Sequence, residues 1–180
     1  AIRLAAKYNA KVVVTTPRIT MEREINEYEQ LFAAIDGLQP EAVMVSNIGM
    51  LRLARKSCRL PVMADFSLNV FNHLTVNWLK ENGTIKATIS PEATYGQITE
   101  LLNSSNLPLE LIVHGPIEAM ISDHCVPSAV LGNHSMESRD DICSGRQYAL
   151  LDTAGQIHPI MIDQYGRSHI LFAKDQIGRA

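Results

Sequence analysis

The sequence contains few cysteines, no long apolar run and little excess of charge of either sign. Its 180 residues include three cysteines, which are too few and too scattered for a disulfide framework. No charged-then-apolar leader and no bilayer-spanning apolar stretch stands out, so we expect a cytoplasmic protein without membrane insertion. With 16 basic and 19 acidic residues, the chain has no general positive field, and an RNA substrate would need a local basic patch.

The most common catalytic signatures are also absent. The sequence has no G-x-S-x-G, H-E-x-x-H, G-x-x-x-x-G-K-[ST] or G-x-G-x-x-G motif. This excludes the serine-elbow hydrolases, the zincins and the most common nucleotide-binding motifs.

Five apolar, β-branched runs recur along the first part of the chain, and a helical pattern follows each of them. The runs are KVVVTT from Lys11, EAVMVSN from Glu41, PVMADFS from Pro61, TIKATIS from Thr84 and LELIVHG from Leu109. Because each gap holds one crossover helix, the strands should be parallel and both faces of the sheet covered. We predict helices over residues 21–36, 49–57, 70–81 and 91–102, the last of them opened by Ser90 and Pro91.

The strand-helix rhythm ends after Gly115. Residues 117–146 show no sustained period, which predicts a long irregular excursion that contains Cys125 and Cys143. Residues 147–180 alternate around two turn signals and predict a three-stranded antiparallel meander. The sequence therefore predicts an α/β protein in which a parallel strand-helix repeat over residues 1–116 precedes a small β-rich region.

Polar side chains collect where the predicted strands end. In a parallel α/β sheet the carboxyl ends of the strands form the ligand face, so these residues are candidates for an active site. We select as catalytic candidates Asp65, Asn69, Glu92 and His114, with Glu92 or His114 as acid or base.

Each candidate also has a purely structural explanation. Asp65 and Asn69 could serve as caps or Asx-turns, as Ser46 and Asn47 could at the preceding strand. Glu92 would be favoured by the helix dipole in a first helical turn, and a lone histidine such as His114 is often a satisfied core residue.

Cys125 and Cys143 are the candidate metal ligands. Thiolates suit zinc or an iron–sulfur cluster, and histidines and aspartates lie near both cysteines in the sequence. No CxxC or Cys2His2 spacing occurs, so the alternative is that both thiols pack as small apolar groups.

Several phrases together resemble one family. They are TPRI from Thr16, VSNIGMLRLA from Val45, ADFSLNVFN from Ala64, SPEAT from Ser90, VHGPIEAMISDHC from Val113 and YALLDTAGQIHPIMIDQYGRSHIL from Tyr148. In this order they resemble the collagenase-like peptidase family, the U32 group, over nearly the whole chain. The resemblance implies a partial TIM-barrel-like domain followed by a small β-rich region, with barrel strands that precede Ala1.

The same resemblance implies two activities. Members are described as proteases, and some relatives are iron–sulfur proteins that support oxygen-independent hydroxylation of RNA bases or of ubiquinone precursors. In those relatives four cysteines hold the cluster. Here Glu118 stands at the first position, Cys125 matches the second, Cys143 falls near the third, and Tyr165 or Ile177 lies near the last.

Three hypotheses follow. In the first, the chain is part of a peptidase that acts on proteins or peptides. In the second, it is part of a metal-dependent hydroxylase that acts on RNA bases or on a small ring compound such as a ubiquinone precursor. In the second case Cys125 and Cys143 help to hold a cluster, which Asp, His or another chain completes. The third hypothesis is a non-enzymatic partner subunit whose site has been lost.

Overall fold

The computed structural model describes residues 2–132 and 146–177. The chain divides into two compact units, residues 1–112 and residues 113–180. The first unit contains a parallel sheet and the second an antiparallel sheet. Cys143 lies outside the described residues. Among the described helices, none combines the length and apolar character that crossing a membrane requires.

The first unit alternates strands and helices as predicted. Its strands are β1 (Val13–Thr15), β2 (Ala42–Val45), β3 (Val62–Ala64), β4 (Thr84–Thr88) and β5 (Leu109–Glu110). Its helices are α1 (Ile2–Lys7), α2 (Ile25–Asp36), α3 (Ile48–Ser57), α4 (His73–Glu81) and α5 (Tyr95–Ser104), with short 3-10 turns at Glu22–Glu24 and Phe66–Leu68. The strands are parallel and lie in the order β1-β2-β3-β4-β5. In the described residues this sheet remains open and does not close into a barrel.

The strand order explains why the two faces of the parallel sheet differ. Each new strand is added at the same edge, and because βαβ crossovers are right-handed, the helices fall on one face. On that face Val45, Ala64 and Ala87 are adjacent in register and no more than 1% exposed. On the opposite face, called the open face below, Met44, Lys86 and Glu110 keep part of their surface exposed, whereas Met63 and Thr88 are 5% exposed. Residues of this chain therefore cover that face in part.

The helices bury one apolar stripe each. In α2 the residues Tyr28, Phe32 and Ile35 recur at helical spacing and are all buried, and Gly37 is the C-cap of the helix. Burial of a side chain such as Phe32 stabilises the fold by about 1.5–3 kcal/mol. At the start of α3 the Asn47 side chain accepts a hydrogen bond from the Met50 N–H at 2.8 Å, which confirms the cap interpretation of Asn47.

Helix α5 begins later than predicted. Ser90 and Pro91 do not open it, because Thr94 is its N-cap and forms a capping box with Gln97. The T-x-x-Q pattern satisfies two backbone N–H groups reciprocally, so it supplies a stronger helix start than the Ser-Pro pair.

The second unit is an antiparallel sheet. Its elements are β6 (Gly115–Ser122), α6 (Val126–Leu131), β7 (Tyr148–Leu151), β8 (Ile157–Ile162) and β9 (Ser168–Ile177). The sheet order is β6-β9-β8-β7, which confirms the predicted meander and adds a fourth strand. Strand β6 and helix α6 lie in the segment that was expected to be irregular, so that expectation is wrong over residues 117–122 and 126–131.

Candidate functional site at the carboxyl edge of the parallel sheet

The backbone at the ends of β1 and β2 is held together by two buried hydroxyl groups. The Ser46 N–H donates to Thr16 Oγ1 at 3.1 Å, and the Ser46 hydroxyl donates to the Thr16 carbonyl oxygen at 2.8 Å. Both residues are less than 9% exposed. These bonds fix the strand ends, because a buried polar group that loses its partner costs about 1–3 kcal/mol.

Asp65 is the carboxylate at the centre of this edge. Ser46 Oγ and Ser67 Oγ each lie 3.1 Å from Asp65 Oδ2. Each hydroxyl has a single hydrogen, which it shares between Asp65 Oδ2 and a nearer carbonyl oxygen, that of Thr16 at 2.8 Å for Ser46 and that of Ser46 at 2.7 Å for Ser67. The Asp65 side chain does not cap the short helix that follows it. Both serines contact the same oxygen, and in the described residues Oδ1 accepts no hydrogen bond, so Oδ1 can accept a proton from a bound water or substrate.

The loops that follow β1, β2 and β3 are joined next to this carboxylate. Asn47 Nδ2 donates to the Arg18 carbonyl oxygen at 3.3 Å and lies 3.4 Å from Thr20 Oγ1. The Arg18 guanidinium lies 5.2 Å from the centre of the Phe66 ring, which is a cation–π contact. The edge is therefore a connected set of loops with a cation beside it.

Asn69 has a backbone role. It adopts the left-handed conformation with φ of 56° at the end of the short helix, a conformation that asparagine tolerates better than most residues. This turn directs Val70 into the core, where Val70 is 0% exposed and its carbonyl oxygen accepts from the Ser90 N–H at 3.2 Å. The Asn69 side chain itself is exposed.

Glu92 is exposed at the same edge. Its N–H donates to Ser90 Oγ at 3.3 Å, and it lies two residues before Thr94, the N-cap of α5, so it does not lie in a first helical turn. The helix-dipole explanation for Glu92 therefore loses its basis. Its exposed carboxylate remains a candidate acid or base.

Three further residues on the open face were not selected from the sequence. Lys86 Nζ lies 2.9 Å from Glu110 Oε1, and the buried Thr88 hydroxyl donates to Glu110 Oε2 at 3.3 Å. Thr88 is the register neighbour of Glu110. The sequence contained a signal for two of these residues. Lys86 is a charged residue within the apolar run TIKATIS, and Glu110 is a charged residue within the apolar run LELIVHG.

His114 and Cys125 belong to the second unit. Strand β5 ends at Glu110, so His114 does not end a parallel strand, and its side chain is exposed. Cys125 is half-buried at the N-cap position of α6 without a side-chain capping bond. Asp65, Asn69 and Glu92 are thus the sequence-predicted candidates that share one edge.

The second unit holds its own pairs of charged side chains. His169 Nδ1 lies 2.6 Å from Glu118 Oε1 and its Nε2 lies 3.4 Å from Asp163 Oδ2, so the imidazole connects β6 to the turn before β9. Glu118, at the position of a cysteine in the resemblance, is therefore part of a hydrogen-bonded contact between strands. The buried Arg167 contacts Asp123 at 3.1 Å and stacks over Tyr165.

The pKa values of Asp152 and Cys58 are shifted from their ordinary values. Hydrogen bonds, first from the Gln156 backbone N–H and also from His158 and Ala154, lower the pKa of Asp152. Burial raises the pKa of the Cys58 thiol. A raised pKa leaves less thiolate at neutral pH, which makes Cys58 a poor nucleophile and a poor metal ligand.

The donor set of this chain does not fit a four-thiolate cluster. The whole sequence supplies three cysteines, and Cys58 lies in the first unit whereas Cys125 lies in the second. Within the described ranges, no three His, Cys, Asp or Glu side chains are grouped as a metal ion would require. A cluster would therefore need ligands from outside this chain or of another chemical type.

Comparison with known proteins identifies the family. Residues 1–176 match the family model described as Peptidase family U32. The chain belongs to this family. An uncharacterized protease of Methanocaldococcus jannaschii is 31% identical over 74% of the chain and 34% of its own length.

Two other U32 relatives have names that refer to a different activity. A tRNA hydroxylation protein of Bacillus subtilis is 24% identical over 77% of the chain and 32% of its own length. A tRNA hydroxylation protein of Helicobacter pylori is 25% identical over 72% of the chain and 31% of its own length. The chain thus spans about a third of the length of the curated relatives that it matches. No solved structure was found to match it.

Proposed function

We propose that this U32 chain contributes the active site of a peptidase, with Asp65 as the general base. The observation that supports this most is the oriented Asp65 carboxylate, in which Ser46 and Ser67 occupy Oδ2 and Oδ1 stays open to a proton. A fixed base at the carboxyl edge of a parallel sheet stands where such folds bind their ligands. The protease named among the relatives is consistent with this reaction class.

The proposed reaction is direct attack by water on a peptide bond. Asp65 Oδ1 removes a proton from a water molecule while the water oxygen bonds to the carbonyl carbon, which gives a tetrahedral intermediate. The carbon–nitrogen bond then breaks as the nitrogen receives a proton from Glu92, the exposed carboxyl group at the same edge. Asp65 passes the proton taken from water to the Glu92 carboxylate through solvent, so both groups return to their starting forms.

Cleavage of peptides by the full-length protein tests this proposal. Gelatin and unstructured peptides are incubated with wild-type protein and with Asp65→Asn, which keeps the size of the side chain. Loss of a positioned general base lowers the rate by about 10²–10⁴-fold, so we expect Asp65→Asn to be nearly inactive. Glu92→Gln tests the candidate proton donor.

The matched control is Asp36→Asn, because Asp36 lies at the end of α2 in the same unit and accepts a hydrogen bond from the Arg59 N–H. This variant should keep the wild-type rate. Wild-type protein that cleaves none of the substrates, or Asp65→Asn that cleaves at the wild-type rate, would contradict the proposal.

The names of the two tRNA hydroxylation relatives support a second candidate function. In this alternative the protein, or a subunit complex that contains it, hydroxylates an RNA base or a ubiquinone precursor with an iron–sulfur cluster or other metal. Cys125 and Cys143 would then be two of the ligands. Iron and sulfide assays on full-length protein purified without oxygen test it, and iron-free, colourless protein would exclude it.

A further inference from the structure

The open face of the parallel sheet carries one lysine, Lys86, in line with the candidate active site. In register, Lys86 is the neighbour of Met63, and Asp65 lies two residues further along the same strand direction. Side chains two residues apart on a strand point to the same face. Lys86 and Asp65 therefore share the face that the crossover helices leave uncovered.

The spacing between these two residues suits a short peptide. Adjacent strands are about 4.8 Å apart and two residues advance a strand by about 6.6 Å, so the two Cα atoms lie roughly 8 Å apart. An extended peptide covers about 3.3–3.6 Å per residue, so this separation corresponds to about two residues. A group bound by Lys86 would thus lie within about two residues of the peptide bond that the water activated by Asp65 attacks.

Lys86 is less exposed than Lys11 and Lys56, two lysines of the same unit that also pair with glutamates. Its partner Glu110 is occupied at both oxygens, by Lys86 at 2.9 Å and by the buried Thr88 at 3.3 Å. The side chains of Lys86 and Glu110 are each 37% exposed, whereas Lys11 and Lys56, which also pair with glutamates, are 76% and 73% exposed. A less solvated and restrained ammonium loses less entropy when it binds a ligand.

The ammonium group of Lys86 also has donors to spare. Lysine carries three N–H donors, and among the described residues Lys86 uses only Glu110 as an acceptor. Both oxygens of Glu110 already accept hydrogen bonds, from Lys86 and from Thr88. The group that remains available on this part of the face is therefore a cation with free N–H groups.

From these observations we propose that Lys86 binds a carboxylate of the substrate, so that the site selects peptides with an acidic group within about two residues of the cleaved bond. This proposal rests on the peptidase function proposed above. Glu110 and Thr88 act as positioning residues, since they hold the ammonium group and do not contact the substrate themselves.

The test compares peptides that differ only in charge. Unstructured peptides carry either Glu or Gln near the cleaved bond, and either a free or an amidated C-terminus, which separates a side-chain carboxylate from a terminal one. A hydrogen bond to a charged group is worth about 1.5–3 kcal/mol, so kcat/KM for full-length wild-type protein should be about 10–100-fold higher for the carboxylate peptide. Lys86→Met should bring that ratio close to one, mainly through KM.

Two variants control for other effects of the substitution. Lys56→Met removes a lysine of α3 that also pairs with a glutamate, and this variant should keep the wild-type preference for the carboxylate peptide. Lys86→Arg keeps the positive charge and should also keep the wild-type preference for the carboxylate peptide. If Lys86→Met melts far below the wild type, the comparison is repeated with Lys86→Gln, whose side chain keeps a polar group next to Glu110.

The preference is also measured without cleavage, by fluorescence anisotropy of the same peptides bound to Asp65→Asn. If wild type cleaves no peptide, the proposed function fails, but a carboxylate preference in binding that disappears on Lys86→Met still supports this inference. Equal binding of acidic and amidated peptides, or a preference that survives Lys86→Met, would overturn it.

Discussion

In residues 1–112 the polar side chains that contact one another come from successive parallel strands, whereas in residues 113–180 they come from antiparallel partners and tight turns. Ser46 and Asp65 follow β2 and β3 and meet at one edge of the sheet. His169 instead contacts Glu118 on the neighbouring antiparallel strand, and His158 contacts Asp152 six residues earlier. The parallel unit therefore gathers distant residues at one place, and the antiparallel unit distributes its pairs over the sheet.

This difference follows from how the two kinds of sheet are connected. In a parallel sheet every strand ends at the same edge, so the residues after the strands become neighbours without any local signal. In an antiparallel sheet consecutive strands end at opposite edges, and polar groups pair with the residue opposite them on the neighbouring strand or within turns. We therefore expect substitutions at the parallel edge to change activity and substitutions at the antiparallel pairs to change stability alone.

The largest effect on stability should come from the core of the parallel unit. Phe32 is 1% exposed, so Phe32→Ala leaves a cavity and should lower the free energy of unfolding by about 3–5 kcal/mol. Leu31, the preceding residue of α2, is 43% exposed, and Leu31→Ala should cost much less. Chemical denaturation of both variants measures the difference, and similar losses would mean that α2 does not pack as described.

The sharpest comparison between the units uses two buried serines. Ser46 contacts Asp65 and the Thr16 carbonyl, and Ser168 donates to the His124 carbonyl oxygen at 2.8 Å and accepts from the Val126 N–H at 2.9 Å. Each Ser→Ala change leaves buried polar groups without a partner and should cost about 1–3 kcal/mol of stability.

Only Ser46→Ala should also slow peptide cleavage, because it releases one of the two hydroxyls that orient Asp65. Steady-state kinetics at a temperature where both variants are folded separate the two effects. If Ser168→Ala lowers kcat as much as Ser46→Ala does, the parallel edge has no special role in the reaction.

The sequence was sufficient to predict the parallel strands and the polar edge at Ser46 and Asp65, because both depend on a local period and one topological rule. The predicted start of α5 is wrong because the helix begins at the Thr94–Gln97 capping box and not at Ser90. Strand β6 was not predicted because its partner strand lies about fifty residues away in the sequence. The Lys86–Glu110 pair joins residues 24 positions apart, so neither residue alone indicated the other. Pairings of this kind depend on register, which a single sequence does not fix.

Asp152 provides a pH test of the antiparallel unit. Its carboxylate accepts hydrogen bonds from the Ala154 and Gln156 N–H groups at 2.8 Å, which stabilise the charged form and lower its pKa in the folded state. A group with a depressed pKa contributes stability above its unfolded pKa, and this contribution is lost as the pH falls through the folded pKa. Wild type should therefore lose more stability than Asp152→Asn between neutral and strongly acidic pH.

Thermal melts of the two proteins over this pH range measure the contribution of Asp152. Equal losses would show that the turn bonds do not favour the charged form.

The smallest effect should be a kinetic one at Cys58, which follows the end of α3 in the parallel unit. Burial raises the pKa of its thiol, and its Sγ lies 3.2 Å from the Ala54 carbonyl oxygen. Because only the thiolate reacts with iodoacetamide, Cys58 should be alkylated more slowly at neutral pH than an unstructured peptide thiol, and its rate should rise at higher pH than that of the peptide. Mass spectrometry of the Cys58 peptide over a pH series measures both rates, with urea-unfolded protein as the control. A folded-state rate equal to the unfolded one would mean that the end of α3 is open to solvent and that the packing of the helices on the parallel sheet does not extend to Cys58.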